Sequence, residues 1–501
     1  MPWKYFIAAL PSGLGLPAAG SDIERCQAPQ LALRNAVWAG CFIQSLKSSS
    51  YLLCPLEKVL ESLMSSLTSF IEARLASLPR TMALEWPGGR AGAAAAEVRL
   101  KLSAWRSLAC LVRGQVGSLA EAYVNGEMEI EGTLPDVMAI AGALAGDPIR
   151  RGEQLAWPRC LQQWRSWLAH GLRRDAEQVR HHYDICDEFF ALWLDPRRVY
   201  SCAYYPNPAM SLAQAQQAKL DHVCRKLRLA PGQRMLDIGA GWGGLLLWAA
   251  EHYGVNAVGI TLSKNQHAHV KRLIEEKGLR GRVEMRLLDY RELPENGEFD
   301  RIASIGMFEH VGSARLASYF RKLARLLKPG GLIMNHGITA GGLRNDQLGA
   351  GMGRFIDKHI FPGGELVHVS RVTQGLAQGG LELLDAENLR PHYARTLWDW
   401  SDALEQRIEQ ARELTSEATV RAYRLYLAGS AMCFERGWLS LYQLLATRPD
   451  AGFDDEAMRG ASSVYPFCRD YMYAGRPTAL GAEQDPQPLR DDRVRLPTLV
   501  V

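Results

Sequence analysis

The sequence predicts an α/β protein built on a doubly wound, mainly parallel sheet of seven strands, preceded by a smaller domain. Three features predict it. From about residue 181, apolar runs alternate with segments of helical spacing. The first run, Met235-Leu-Asp-Ile, breaks into a glycine cluster at Gly239, Gly241, Gly243 and Gly244, then resumes as the apolar helical stretch Leu245 to Ala250. Strand, glycine turn and helix open a nucleotide-binding unit, in which glycines admit a ligand close to the backbone and the helix N-terminus offers free N–H groups. Further on, Lys328-Pro-Gly-Gly331 stops a helix before another apolar run.

A chain of 501 residues has room for two or three domains and a substantial core. Its 47% hydrophobic and 22% charged residues are ordinary for a soluble globular protein, and a net charge of +4 is too mild to argue for nucleic acid. The ten cysteines include no Cys-x-x-Cys pair, so neither a zinc site nor a disulfide framework is expected; free thiols in a reducing cytoplasm are. No apolar run is long enough to span a bilayer, and Lys4 followed by Tyr5 to Leu10 and Pro11 makes a poor signal peptide.

Taken in order, residues 1–80 read as an extension of uncertain role. It ends in an amphipathic helix over 56–78, with Leu56, Val59, Leu60, Leu63, Leu67 and Ile71 at helical spacing. Residues 81–147 read as a small mixed domain. Val98 to Leu102 alternates like a strand, and Gly117 to Gly132 reads as helix, turn at Asn125-Gly126, then strand. A linker at 148–180 is rich in Arg and in Trp157, Trp164 and Trp167, which suit either packing or a membrane–water interface. The main domain follows at 181–475. Its expected strands are Arg234–Gly239, Asn256–Thr261, Val283–Asp289, Phe299–Gly306, Gly331–Thr339 and Leu381–Leu389, with Trp438–Ala446 as an antiparallel edge. Helices are expected over 263–277, 315–327 and 396–430, and a disordered tail over 476–501.

Ligands of such sheets sit beyond the carboxyl ends of the strands. The spacing here is Gly-x-Gly-x-Gly-Gly with no following Lys-Ser or Lys-Thr, which suits a nucleoside without a pyrophosphate, such as S-adenosylmethionine. The second strand ends without an acid, leaving Thr261 and Gln266 to hydrogen-bond a ribose or a methionine moiety, with Ser263 as the next helix's N-cap. The third ends in Asp289-Tyr290; Asp289 either accepts from an adenine amino group or serves its own turn, and Tyr290 could cover the ring.

Several blocks converge: His182-Tyr-Asp184, Phe189-Phe190, Trp193-Leu-Asp-Pro196, Tyr200-Ser-Cys-Ala-Tyr-Tyr205, Gly306-Met-Phe-Glu-His-Val-Gly312, His336-Gly-Ile338 and Phe361-Pro-Gly-Gly364. With Leu236–Gly244 and Thr261–Gln266, they closely resemble the cyclopropane-fatty-acyl-phospholipid synthases and the related mycolic acid cyclopropane synthases. The resemblance covers about 115 to 448, and Gly117–Tyr123 resembles part of that family's N-terminal lipid-binding domain.

The resemblance implies an S-adenosylmethionine-dependent methyltransferase. Its expected reaction adds a methylene unit to the cis double bond of an unsaturated phospholipid acyl chain, at the membrane surface, with bicarbonate as the bound base. The cofactor set it implies is Tyr200, Ser201, Asp237, Gly239, Gly241, Gly243, Thr261, Gln266, Asp289 and Tyr290. Glu309 and His336 are the residues expected to hold bicarbonate, each following a strand at the same end of the sheet. The family pattern adds Cys202 and Ile338 through backbone groups and the hydroxyl of Tyr393. A cytoplasmic protein on the inner membrane face, homodimeric by resemblance, is the expected setting.

An alkene cannot be activated by deprotonation, so positioning and exclusion of water must carry the reaction. Tyr204, Tyr205, Phe308 and Tyr393 are candidate aromatic faces for a cation, though packing explains Phe308 and Tyr205 as well. Glu309-His310 lacks zinc spacing, and Cys202 has no covalent role to fill. Where some members carry a late cysteine, this chain has Ser430, with Cys433 three residues on; where many have Gly-Asn-Asp, it has Cys186-Asp-Glu188. Competing expectations are a methyl-branched lipid product, a small amine acceptor, or a non-catalytic membrane-surface binder.

Overall fold

The computed structural model describes residues 54–147, 186–343, 348–449 and 468–473, with side chains from residue 64. Most of the N-terminal extension, the linker 148–180 with its tryptophans, His182 to Asp184 and the tail 476–501 lie outside the described residues.

Two compact units divide the chain. The smaller holds the described residues up to Arg113 together with Glu127–Gly132. Its helix Cys54–Ala76 buries Leu67, Ile71 and Leu75, one residue per turn. Its four strands are β1 (Met82–Trp86), β2 (Gly89–Gly92), β3 (Val98–Leu102) and β4 (Met128–Glu131), in the order β2-β1-β3-β4. In β3, Val98, Leu100 and Leu102 turn inward and Arg99 and Lys101 outward, the period of a half-buried strand.

The domain expected at 81–147 is not one body. Helices Val116–Val124 and Leu134–Ala145 belong to the larger unit, where both pack on helix Glu417–Glu435, and the first also on Met352–His359. The apolar faces of these two helices find their partners some 200 to 300 residues on, which local periodicity cannot reveal.

The larger unit is a three-layer α/β/α sandwich. Its strands are β5 (Arg234–Ile238), β6 (Asn256–Thr261), β7 (Val283–Leu287), β8 (Phe299–Ile305), β9 (Leu327–Ala340), β10 (Glu382–Asn388) and β11 (Leu439–Thr447), ordered β10-β11-β9-β8-β5-β6-β7. All pairings are parallel except the two made by β11. Helices Leu212–Lys226 and Gly244–Tyr253 cover one face, over Met235, Met334 and Leu445. Helices Leu316–Leu326 and Val369–Gln378 cover the other, over Leu236, Ile333 and Leu444. The order reverses between β5 and β8, the switch point where such sheets bind ligands.

The expected edge strand is interior. β11 lies between β9 and β10, and its residues are buried on both faces, whereas β10, carrying Glu382, Asp385 and Glu387, forms the edge. Lys328-Pro-Gly-Gly331 does end a helix, at Leu326, but the chain enters β9 at once and these four residues form a bulge between Leu327 and Leu332.

Candidate active site

A cavity opens at the carboxyl ends of β5, β6, β7 and β8. Tyr200, Ser201, Asp237, Gly239, Gly241, Thr261, Gln266, Asp289 and Tyr290 line it. Gly243 does not; it precedes helix Gly244–Tyr253 with φ of 85°, and a Cβ there would stand 2.9 Å from Val270 Cγ2, so its need is for a turn.

The polar residues of the wall are partly pre-set. Thr261 Oγ1 donates to Gln266 Oε1 at 2.8 Å and accepts from Ser263 N at 3.1 Å. Ser263 Oγ accepts from Gln266 N, the expected cap. Asp289 serves its turn, accepting from Arg291 N, and also pairs with the Arg291 guanidinium at 2.7 Å while keeping its place on the wall. Burial lifts the Asp237 carboxyl to about 7, opposed by the charge of Lys219. A buried carboxylate, glycine backbone at the helix entrance and the Thr261–Gln266 pair suit a nucleoside carrying an amino-acid tail.

Of the residues expected around the base, Glu309 stands beyond a strand end. Glu309 lies in the short turn Phe308–His310 after β8, whose neighbours Met307 and His310 line the cofactor cavity. Its Oε1 accepts from Ile338 N at 2.7 Å; its Oε2 is buried without a partner. Burial raises this carboxyl to about 7.

His336 does not follow its strand; it sits within β9, opposite Gln443 of β11. Gln443 Nε2 donates to His336 Nδ1 at 3.2 Å, so the neutral ring carries its proton on Nε2, which is buried without a partner. Burial, then the charges of Lys219, Lys226 and His222, hold its pKa well below the usual histidine value. Gly337 faces Glu309, since a Cβ there would lie 2.8 Å from Glu309 Oε1. Strand alternation therefore sends His336 to the opposite face of β9 from the Glu309 carboxylate.

Ile338 was expected to offer backbone groups to an anion, but its N–H is committed to Glu309. Cys202 is fully buried, with its thiol against Ala203 O and Leu389 O, and burial pushes its pKa far up. Leu389 N in turn donates to Leu441 O, and Leu441 is paired with Ile338. Tyr393 stands one turn into helix Arg390–Gln406, its ring against Trp400 and Phe434. Cys202, Tyr393, Ile338 and Glu309 are thus linked through Leu389 and Leu441. The unpartnered Glu309 oxygen suits a small oxyanion that carries a proton, while His336 stands on the other face of β9.

Two aromatic candidates are already engaged. Tyr204 stacks on His222 at 4.3 Å and on His392 at 4.9 Å between centroids. The Tyr205 hydroxyl donates to Asp399, and Arg395 covers its ring at 4.2 Å. Phe308 packs in the core.

The chain matches the mycolic acid cyclopropane synthetase family over residues 170–444. It belongs to that family. A probable fatty acid methyltransferase of Pseudomonas putida is 44% identical over 341 residues, spanning 68% of this chain and 84% of the relative. The cyclopropane mycolic acid synthase MmaA2 of Mycobacterium tuberculosis is 39% identical over 285 residues, covering 55% of this chain and 98% of that one. Among solved structures, the mycolic acid cyclopropane synthase CmaA1 complexed with SAH and CTAB is 38% identical with a TM-score of 0.52, over 54% of this chain and 98% of that one. With the cavity at the switch point, these relationships make the protein an S-adenosylmethionine-dependent methyltransferase.

Two features of this family member escape sequence reading. Lys219 lines the cofactor cavity although its side chain is 1% exposed. Its only signal is phase: Lys219, His222 and Lys226 follow Ala215 and precede or flank Leu220 and Val223 on the buried side of helix Leu212–Lys226. Gln443 is equally silent, a glutamine inside an apolar strand. At the late-cysteine position, Ser430 is followed by a buried Cys433 whose thiol burial pushes up to about 12, so it stays protonated.

Proposed function

We propose that this enzyme adds a methylene unit from S-adenosylmethionine to the cis double bond of an unsaturated phospholipid acyl chain, giving a cyclopropane fatty acid. The carrying observation is the buried, unpartnered Glu309 Oε2, which lies between Met307 and His310 of the cofactor cavity wall. When bound, S-adenosylmethionine supplies an electrophilic methyl group. The cavity wall holds the cofactor, and positioning of this kind is worth up to about 7 to 11 kcal/mol in ideal intramolecular models. Ring closure requires that a proton leave the transferred methyl group. Glu309, poised near neutrality, accepts the proton through a small oxyanion, for which bicarbonate is the proposed occupant. Methylation of an amine needs no such buried base.

The acceptor is proposed as an acyl chain because the relatives' names speak of mycolic acids and fatty acids. No helix among the described residues is long and apolar enough to cross a membrane, so the proposed route to lipid is from the membrane surface. A second reading, a methyl-branched acyl product, is favoured by the name of the Pseudomonas putida relative. Incubation with deuteromethyl S-adenosylmethionine and vesicles of monounsaturated phospholipid, followed by mass spectrometry of the acyl chains, decides. A cyclopropane retaining two of three deuterons supports the proposal. A labelled branched chain replaces it with the second reading, and unlabelled lipid removes both.

A further inference from the structure

The turn that carries Glu309 is hinged at both ends. Phe308–His310 stands between Gly306 and Gly312, at φ of 66° and 83°, values that favour glycine. What holds the turn comes from elsewhere in the chain. Ile338 N holds one carboxyl oxygen, and the second hold is a strap, Phe361–Glu365. Glu365 N donates to Glu309 O at 3.0 Å, and Glu365 Oε2 accepts from Ser313 N at 2.8 Å. One residue therefore grips the chain on both sides of Gly312, by its backbone before the glycine and by its side chain after it. The Phe361 ring also lies against His310, 6.1 Å between centroids, and His310 lines the cofactor cavity.

The strap is itself anchored. Phe361-Pro-Gly-Gly364 forms a turn closed by Gly364 N donating to Phe361 O at 3.2 Å, with proline and then a glycine at φ of 75° in its two central positions. Asp357 Oδ1 accepts from Gly363 N at 2.8 Å, and Phe361 N donates to Ile356 O at 2.8 Å, which pins the turn to helix Met352–His359. Beyond Glu365, Val367 O accepts from Ala340 N at 3.0 Å, at the end of β9. Glu365 is thus fixed on both sides before it meets the Glu309 turn.

We propose that Glu365 is a positioning residue for the reaction: it locks the Glu309 turn across the Gly312 hinge, so that the carboxyl oxygen left without a partner keeps its place. This rests on the reading of Glu309 as the base. The bond to Glu309 O fixes the backbone and Ile338 fixes Oε1; the freedom that remains is pivoting at the hinge, which the Ser313 contact removes. Glu365 does not line the cofactor cavity, so its loss acts on turnover and not on cofactor binding. A misplacement of about 1 Å can cost on the order of 100-fold in rate.

Glu365→Ala removes the side-chain grip and keeps the backbone N–H. Its kcat for labelled lipid is expected to fall about 10- to 100-fold, with S-adenosylhomocysteine affinity and lipid KM within a few-fold of wild type. Glu365→Gln offers an amide oxygen to the same N–H and is expected to recover turnover to within a few-fold. In a Glu309→Gln background, Glu365→Ala is expected to lower the residual turnover little further, because the group it positions is gone. Ser313→Pro removes the donor at the first position of the helical turn Ser313–Arg315, where proline fits; it is expected to match Glu365→Ala and guards against misfolding of that variant. Normal turnover in Glu365→Ala, with Glu309→Gln inactive, overturns the proposal and leaves Glu309 as the base. The same fold-loss in both backgrounds overturns it as a general structural effect, and Glu365→Gln as slow as Glu365→Ala overturns the hydrogen-bond grip. Normal turnover in Glu309→Gln, or wild-type protein that labels no lipid, removes the reading of the base and this proposal with it.

Discussion

Glu309 reaches across the end of β9 to Ile338: its Oε1 accepts the Ile338 N–H at 2.7 Å, and its Oε2 is buried with no partner. One oxygen anchors the side chain and the other is left to act. Glu309→Gln keeps the anchoring oxygen and removes the base. Turnover is expected to fall by about 100-fold or more, as for loss of a general base, with S-adenosylhomocysteine binding within a few-fold of wild type. Turnover of labelled lipid and calorimetry, run on the same preparation, check both halves; near-normal turnover removes Glu309 from the chemistry.

The same carboxyl makes a stability prediction. Burial raises it from 4.5 to about 7, so the folded state holds a proton that the unfolded state releases in that window. Stability conferred at this position is complete below about 4.5 and is lost as pH rises to 7. Glu309→Gln has no such loss. The ligand-free variant is expected to match wild type in denaturant near pH 4.5 and to exceed it above pH 7, by on the order of 2 to 3 kcal/mol.

Gly337→Ala tests the geometry without replacing a polar side chain. A Cβ at 337 would lie 2.2 Å from Phe308 Cε1 and 2.8 Å from Glu309 Oε1. The turn bearing Glu309 must shift, so turnover is expected to fall at least about 10-fold and stability by about 1 to 3 kcal/mol, as for an overpacked core. Thermal unfolding together with turnover measures this; a fully active variant means that the turn is softer than its burial suggests.

What the sequence could show follows from how local each feature is. β6 was legible to the residue because an apolar run between turn residues needs no partner to be recognised. β11 was recognised as a strand but misplaced, because strand order is set by contacts far along the chain. Its burial on both faces, against the acids of β10, was the available clue. Helix Val116–Val124 was found and given to the wrong body for the same reason. At the site, glycines and strand-end polar residues announced the cavity, while Lys219 and Gln443 were hidden by resembling a surface lysine and a core interruption. His336, expected just after a strand, lies within β9, and which way a strand's alternation points depends on the sheet around it.

Gln443 fixes which His336 nitrogen carries the proton. Gln443→Leu leaves Nδ1 without its donor, so the ring is free to protonate there and present a bare Nε2. Turnover is expected to fall about 10-fold with unchanged S-adenosylhomocysteine affinity. Nitrogen chemical shifts of the imidazole distinguish a changed tautomer from simple loosening; an unshifted tautomer means that Gln443 only packs.

Behind the site, His222, Lys226 and Glu387 form a buried network. Glu387 Oε2 accepts from His222 Nε2 at 2.8 Å and from the Lys226 ammonium, which is fully buried. Burial alone would raise the Glu387 carboxyl; the His222 hydrogen bond and the Lys226 charge outweigh it and bring it to about 2. The stability it confers is therefore present above the unfolded value near 4.5 and lost as pH falls towards 2. Glu387→Gln strands a buried ammonium, and about 3 kcal/mol of destabilisation at pH 7 is expected, shrinking as pH falls through that window. Joining it to Lys226→Met removes the stranded charge and should recover most of the loss. Because Tyr204 stacks on His222, the single variant is also expected to disturb the Tyr204–His392 contact beside the site. Denaturant unfolding of the two singles and the double at pH 7 and pH 3 measures the coupling. Additive losses would mean that Asp385, 3.6 Å from Lys226, already suffices for the ammonium.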